Sequence, residues 1–115
     1  MGKIVSVHEY VLRSGVAASE FEAAIRDAGR RRTLELAGLE QAYLLKGLRG
    51  RRRGEYAAVW VYQSLGAWED LWGPVEQPHG RDRYPRNWRI WEDEVLEPYL
   101  AEEPDKIAYT AYTEL

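Results

Sequence analysis

The 115-residue sequence contains no cysteine. That excludes disulfides, thiolate metal sites and a cysteine nucleophile. It also lacks any apolar run near the roughly 18 residues a membrane span needs. The start, Met1-Gly2-Lys3, runs directly into a strand pattern without the charged, apolar and small-residue zones of a secretion signal. A cytoplasmic protein is therefore expected. Phosphate-binding glycine loops, dinucleotide fingerprints and Ser-His-Asp constellations are missing. Only two histidines occur, His8 and His79, without the HxH or HxxxH spacing of a metal pair, so no metal site and no cofactor is expected. Phenylalanine occurs once and lysine three times, against 13 arginines.

What is abundant is Trp and Tyr, five and eight respectively. Their polar atoms need partners when buried, which suits a lined cavity or an interface. Hydrophobic residues at 45% and charged residues at 30% describe an ordinary folded domain, and the length suits one domain spanning residues 1–115. A net charge of −3 disfavours nucleic-acid binding. Residues 1–57 carry +4 and residues 58–115 carry −7, an asymmetry that could serve self-association.

The pattern of elements follows from periodicity. Lys3 to Leu12 alternates, with Val5, Val7 and Val11 on one face and Ser6, His8 and Tyr10 on the other. Ser19 is a plausible N-cap for a helix carrying Phe21, Ala24, Ile25 and Ala28, ended by Arg30, Arg31 and Arg32. Leu39–Leu48 and Glu55–Tyr62 read as strands around a Gly50–Gly54 arginine hairpin that reads as a solvated tip. Ser64 caps a helix with Leu65, Trp68, Leu71 and Trp72 inward, stopped by Gly73-Pro74. A loop over 75–84 precedes a helix from Pro85 to about Leu96 with Trp88, Trp91 and Val95 inward and a solvated Glu92–Asp93–Glu94 run. Ile107–Glu114 forms the last strand. The order β-α-β-β-α-β is the split β-α-β, ferredoxin-like arrangement, an α+β fold with a four-stranded antiparallel sheet and helices on one face. The first and third strands should be central.

Glu55–Tyr62 separates its side chains by type. Ala57, Val59 and Val61 are expected to hold the helices, and Tyr56, Trp60 and Tyr62 to wall a pocket with His8 and Tyr10. That aromatic face would need a cover, either a second subunit or a ligand.

With this order, and with Trp60, Tyr62, Ser64, Ala67 and Trp68 joining the third strand to its helix, the chain resembles the dimeric α+β-barrel superfamily, in its antibiotic-biosynthesis-monooxygenase-like group. The resemblance implies a homodimer through the sheet face and a pocket between sheet and helices. It implies a cofactor-independent monooxygenase acting on a planar phenolic or quinol-like ligand, with His8 or His79 helping deprotonation and Tyr10, Tyr56, Trp60, Tyr62 and Trp72 binding the substrate. In the family the histidine usually sits on the helix; His79 follows Pro74 and Pro78 instead. Two alternatives stay open: a non-catalytic dimeric ligand-binding domain, and a haem-binding or haem-degrading protein. Neither a nucleic acid nor a membrane is an expected partner.

Overall fold

The computed structural model describes residues 2–115. Four strands form one antiparallel sheet: β1 (Ile4–Tyr10), β2 (Leu39–Lys46), β3 (Tyr56–Tyr62) and β4 (Tyr109–Thr113). Their spatial order is β2-β3-β1-β4, so the first and third strands are central as the pattern predicts. Three helices lie in the connections: α1 (Ala18–Arg30), α2 (Leu65–Trp72) and α3 (Arg86–Ile90). The last continues without a break into a π-helical segment, Trp91–Leu96. This is the ferredoxin-like βαββαβ order, and among the described residues no helix is long and apolar enough to cross a membrane.

Local signals account for the ends of these elements. Ser64 caps α2, its hydroxyl accepting from the Ala67 N–H at 3.1 Å. Gly73 ends α2 with φ 90°, a value that costs glycine little and other residues much. Helix α1 begins earlier than expected. Ala17 stands at the cap without a side-chain bond, and Ser19 lies in the first turn. The hairpin glycines Gly50 and Gly54 take φ 105° and 82°, and Arg52 between them is no solvated tip. It donates to the carbonyls of Tyr10 (3.2 Å) and Tyr56 (2.7 Å) and pairs with Glu9 and Glu55 at 3.1 and 2.8 Å. The arginine thus ties the β2–β3 hairpin to the ends of both central strands.

The two faces of the sheet are used the opposite way from the expectation. Ile4, Ser6, Tyr10, Tyr56, Ala58, Trp60 and Tyr62 are buried beneath the helices. The Val5, Val7, Ala57, Val59 and Val61 face carries no helix and is only half-buried. On the same open face, register places Tyr43 beside Val59 and Tyr112 beside Val5. The physical reason is volume. The layer between helix and sheet must be filled to native density, and here large side chains fill it. Trp60 fills it against Trp88 and Trp91, with ring centroids 5.0 and 5.7 Å away at steep angles. Phe21 of α1 does the same at the other end, edge-on to Tyr56 at 5.0 Å and Tyr10 at 6.4 Å. Ala58, fully buried between Tyr56 and Trp60, leaves room for these rings. Trp88, Trp91 and Val95 point inward as the helical spacing predicts, joined by Leu96.

Candidate functional site

A cavity of about 240 Å³ opens between one end of the sheet and the second half of the chain. Its floor is made by Ser6, His8 and Tyr62 from the central strands and Tyr109 from β4. Register explains the grouping, because His8 lies across from Tyr109 on β1–β4 and Tyr62 lies across from Ile4, two residues before Ser6, on β1–β3. One wall is α2, through Trp68 and Trp72; another is Trp88 and Glu92. The loop after α2 closes over it with Pro78, His79 and Tyr84, and the turn Pro104–Lys106 supplies Asp105 at the mouth.

The loop is held in place at two points. The His79 N–H donates to the Trp72 carbonyl at 2.7 Å, folding the chain back against Gly73. A Cβ on Gly73 would stand 2.7 Å from the His79 nitrogen and 2.8 Å from its imidazole Cδ2. Further on, Arg81 donates from Nε to Glu92 at 3.2 Å and pairs through its other end with Asp93. This clamp joins the His79 loop to the π-helical segment.

His8 is mostly buried, and burial lowers its imidazole to about 4. It is neutral at physiological pH. Its Nε2 and the Ser6 Oγ lie 3.0 Å apart, with the hydroxyl donating when Nε2 is the unprotonated nitrogen. Its Nδ1 is buried without a polar partner among the described residues. Rings surround it instead: Trp60, Trp88 and Tyr109 have centroids 5.9, 5.8 and 5.4 Å away. Burial likewise raises the phenol of Tyr62 and, less deeply placed, that of Tyr84.

Glu92 is the residue that composition conceals. Within an acidic run that reads as solvated, it is 3% exposed. Burial raises its carboxyl above the ordinary range, while the Arg81 guanidinium and the Trp88 indole oppose the rise. The signal that finds it is spacing. Trp88, Trp91, Glu92, Val95 and Leu96 stand at i, i+3, i+4, i+7 and i+8, all five are buried, and the fourth step after Trp88 is the glutamate.

The expected site residues divide into two groups. His8, His79, Tyr62 and Trp72 all line the cavity, although 71 positions separate the two histidines. Tyr10, Tyr56 and Trp60 do not. Tyr10 and Trp60 are fully buried in the core. Tyr56 faces α1, donating to Glu22 at 2.5 Å beside Lys46, which bonds the same carboxylate at 2.9 Å. Among the described residues no three His, Asp or Glu side chains gather as metal ligands.

No family model and no curated protein matches the chain. Solved structures do. A dabb-family protein with a ferredoxin-like fold from Mesorhizobium loti superposes with TM-score 0.66 at 11% identity, over 100% of this chain and 99% of that one. A dimeric ferredoxin-like protein of unknown function from Thermobifida fusca gives 0.60 at 11% identity over 98% and 92%. SnoaB, a cofactor-independent oxygenase from Streptomyces nogalater, gives 0.59 at 13% over 100% and 95%. At such identities the shared property is the path of the backbone along the whole chain. This protein has the same ferredoxin-like α+β fold as these three.

Proposed function

We propose that this chain is a homodimeric small-molecule enzyme of the antibiotic-biosynthesis-monooxygenase-like group, oxygenating a planar phenolic or quinol-like substrate without a bound cofactor. The observation that carries the reading is the convergence of both histidines with Tyr62, Trp72 and Trp88 on one cavity. Aromatic walls suit a planar ring. At about 240 Å³ the cavity is smaller than the roughly 300–1,000 Å³ of drug-sized pockets, which favours a ligand of one or two rings. The fold shared with an oxygenase that uses no cofactor supports the same chemistry.

The histidines divide the work. A general base is most effective with its pKa near the working pH, and burial has removed His8 from that range. His79, on the loop over the cavity, takes the substrate proton. His8 and Ser6 form a neutral hydrogen-bonding pair on the floor that orients the phenolic oxygen. Deprotonation makes the ring electron-rich, and that anion reduces dioxygen directly. The helix-free face of Val5, Val7, Val59 and Val61 meets its counterpart in the second subunit, in keeping with the dimeric ferredoxin-like neighbour.

Oxygen consumption with a panel of one- and two-ring phenols and hydroquinones tests the reading. Uptake with at least one member is expected, falling about a hundred-fold or more in His79→Ala. Uptake indifferent to both His79→Ala and His8→Asn, or none across the panel, overturns it.

A further inference from the structure

We propose that the cavity selects a phenolic ligand bearing a protonated amine, so that the substrate supplies a positive charge that no Lys or Arg of the lining provides. This names the substrate class within the reading above and rests on it. Although the chain has 16 Lys and Arg, none lines the cavity among the described residues. Arg81, which pairs with the lining residue Glu92, is taken up by Glu92 and Asp93. Two carboxylates do reach the lining, Glu92 in the wall and Asp105 at the mouth. Asp105 enters no ion pair among the described residues, and it lies close enough to raise the acid groups of both Glu92 and Tyr84.

The rings add to the same sign of field. Trp72 stands 5.2 Å from Trp88 and 5.3 Å from Tyr84, centroid to centroid, at 69° and 85°. Walls set at such angles enclose a corner, and an aromatic face attracts a cation within about 6 Å of its centroid. His8, neutral through burial, adds no positive charge to the lining. The chemistry itself sharpens the requirement. A phenolate formed here from a neutral phenol would face the carboxylates of Glu92 and Asp105, with the proton passed to His79 as its counter-charge. An ammonium on the same molecule offsets the new charge. A ligand with its own carboxylate makes the mismatch worse.

Three probes share one ring and differ in charge: tyramine, 4-ethylphenol and 4-hydroxyphenylacetate. Binding to the intact protein at neutral pH is read by quenching of the cavity tryptophans and by calorimetry. Tyramine is expected to bind about ten-fold tighter than 4-ethylphenol, with 4-hydroxyphenylacetate weakest. Asp105→Asn, at an exposed position, is expected to lower the tyramine-to-4-ethylphenol ratio several-fold. Equal or weaker binding of tyramine, tightest binding of 4-hydroxyphenylacetate, or a ratio that Asp105→Asn leaves unchanged overturns the charge selectivity. In those cases binding of 4-ethylphenol leaves the phenol-pocket reading standing. Binding of none of the three overturns both.

Discussion

Acid should destabilise this protein through His8 before its exposed carboxylates are protonated. In an unfolded chain the imidazole titrates near 6.5; burial in the fold lowers it to about 4. Above 6.5 both states hold His8 neutral, so its contribution to stability is fully present. As the pH falls from 6.5 toward 4, the unfolded chain takes up a proton that the folded chain refuses. Stability falls over that window and the contribution is gone once both forms are protonated. The drop amounts to about 3 kcal/mol, a large part of the 5–15 kcal/mol typical of a domain. The cause is local. Nδ1 is enclosed by rings, Nε2 meets the Ser6 hydroxyl, and among the described residues no carboxylate hydrogen-bonds the imidazole.

Urea denaturation at several pH values between 7.5 and 4 measures the effect, and His8→Asn isolates it. Glu92 works the other way, since its raised carboxyl makes the fold relatively more stable as pH falls. It contributes equally to both proteins and cancels in the difference. The wild type should lose about 3 kcal/mol more than His8→Asn across the window. The imidazole Cε1 proton resonance should hold its neutral position until the pH approaches 4. Parallel stability curves for the two proteins, or a His8 resonance titrating near 6.5, would refute the argument from burial.

Two further outcomes test the loop and the open face. Gly73→Ala combines φ 90° with a Cβ pressed on His79, so it should cost about 1–3 kcal/mol. Thermal melts read the cost, and weaker phenol binding reports the displaced imidazole. Val59→Lys places a charge at the centre of the helix-free face, opposite Val7 and Tyr43. Light scattering should find the parent a dimer and this variant a monomer with an unchanged circular dichroism spectrum; a variant that stays dimeric moves the interface elsewhere.

Strand existence, strand order and the Ser64 and Gly73 boundaries are legible in the sequence because each rests on a local rule. The choice of sheet face is not local. A central strand is apolar on both sides, so alternation in Tyr56–Tyr62 separates two sets of side chains without saying which meets the helices. Reading the polar atoms of Tyr56, Trp60 and Tyr62 as pocket chemistry gave weight to the wrong property. Tyr62 alone of the three reaches the cavity, while the indole nitrogen of Trp60 is buried with no hydrogen-bond partner among the described residues. Size decides instead. The layer between helix and sheet is filled by rings, and the helices carry their own large partners in Phe21, Trp88 and Trp91. Flat rows of valine suit the contact of sheet on sheet.

The π-helical segment shows how far the site could have been read without coordinates. An acidic triplet on a helix invites the solvated reading, and that reading is right for Asp93 and Glu94. It fails for Glu92 because composition ignores phase. Trp88 and Trp91 fix the inward stripe, and that stripe includes position 92 in any right-handed helix close to 3.6 residues per turn. A carboxylate on an inward stripe must find a counter-charge, because leaving it unpaired would cost several kcal/mol. The candidates are arginines able to reach back from the preceding loop, and Arg81, eleven positions earlier, is the one that does. That pairing draws the His79 loop down over the cavity. The same buried glutamate therefore contributes to the acid lining of the pocket and to the placement of the His79 loop.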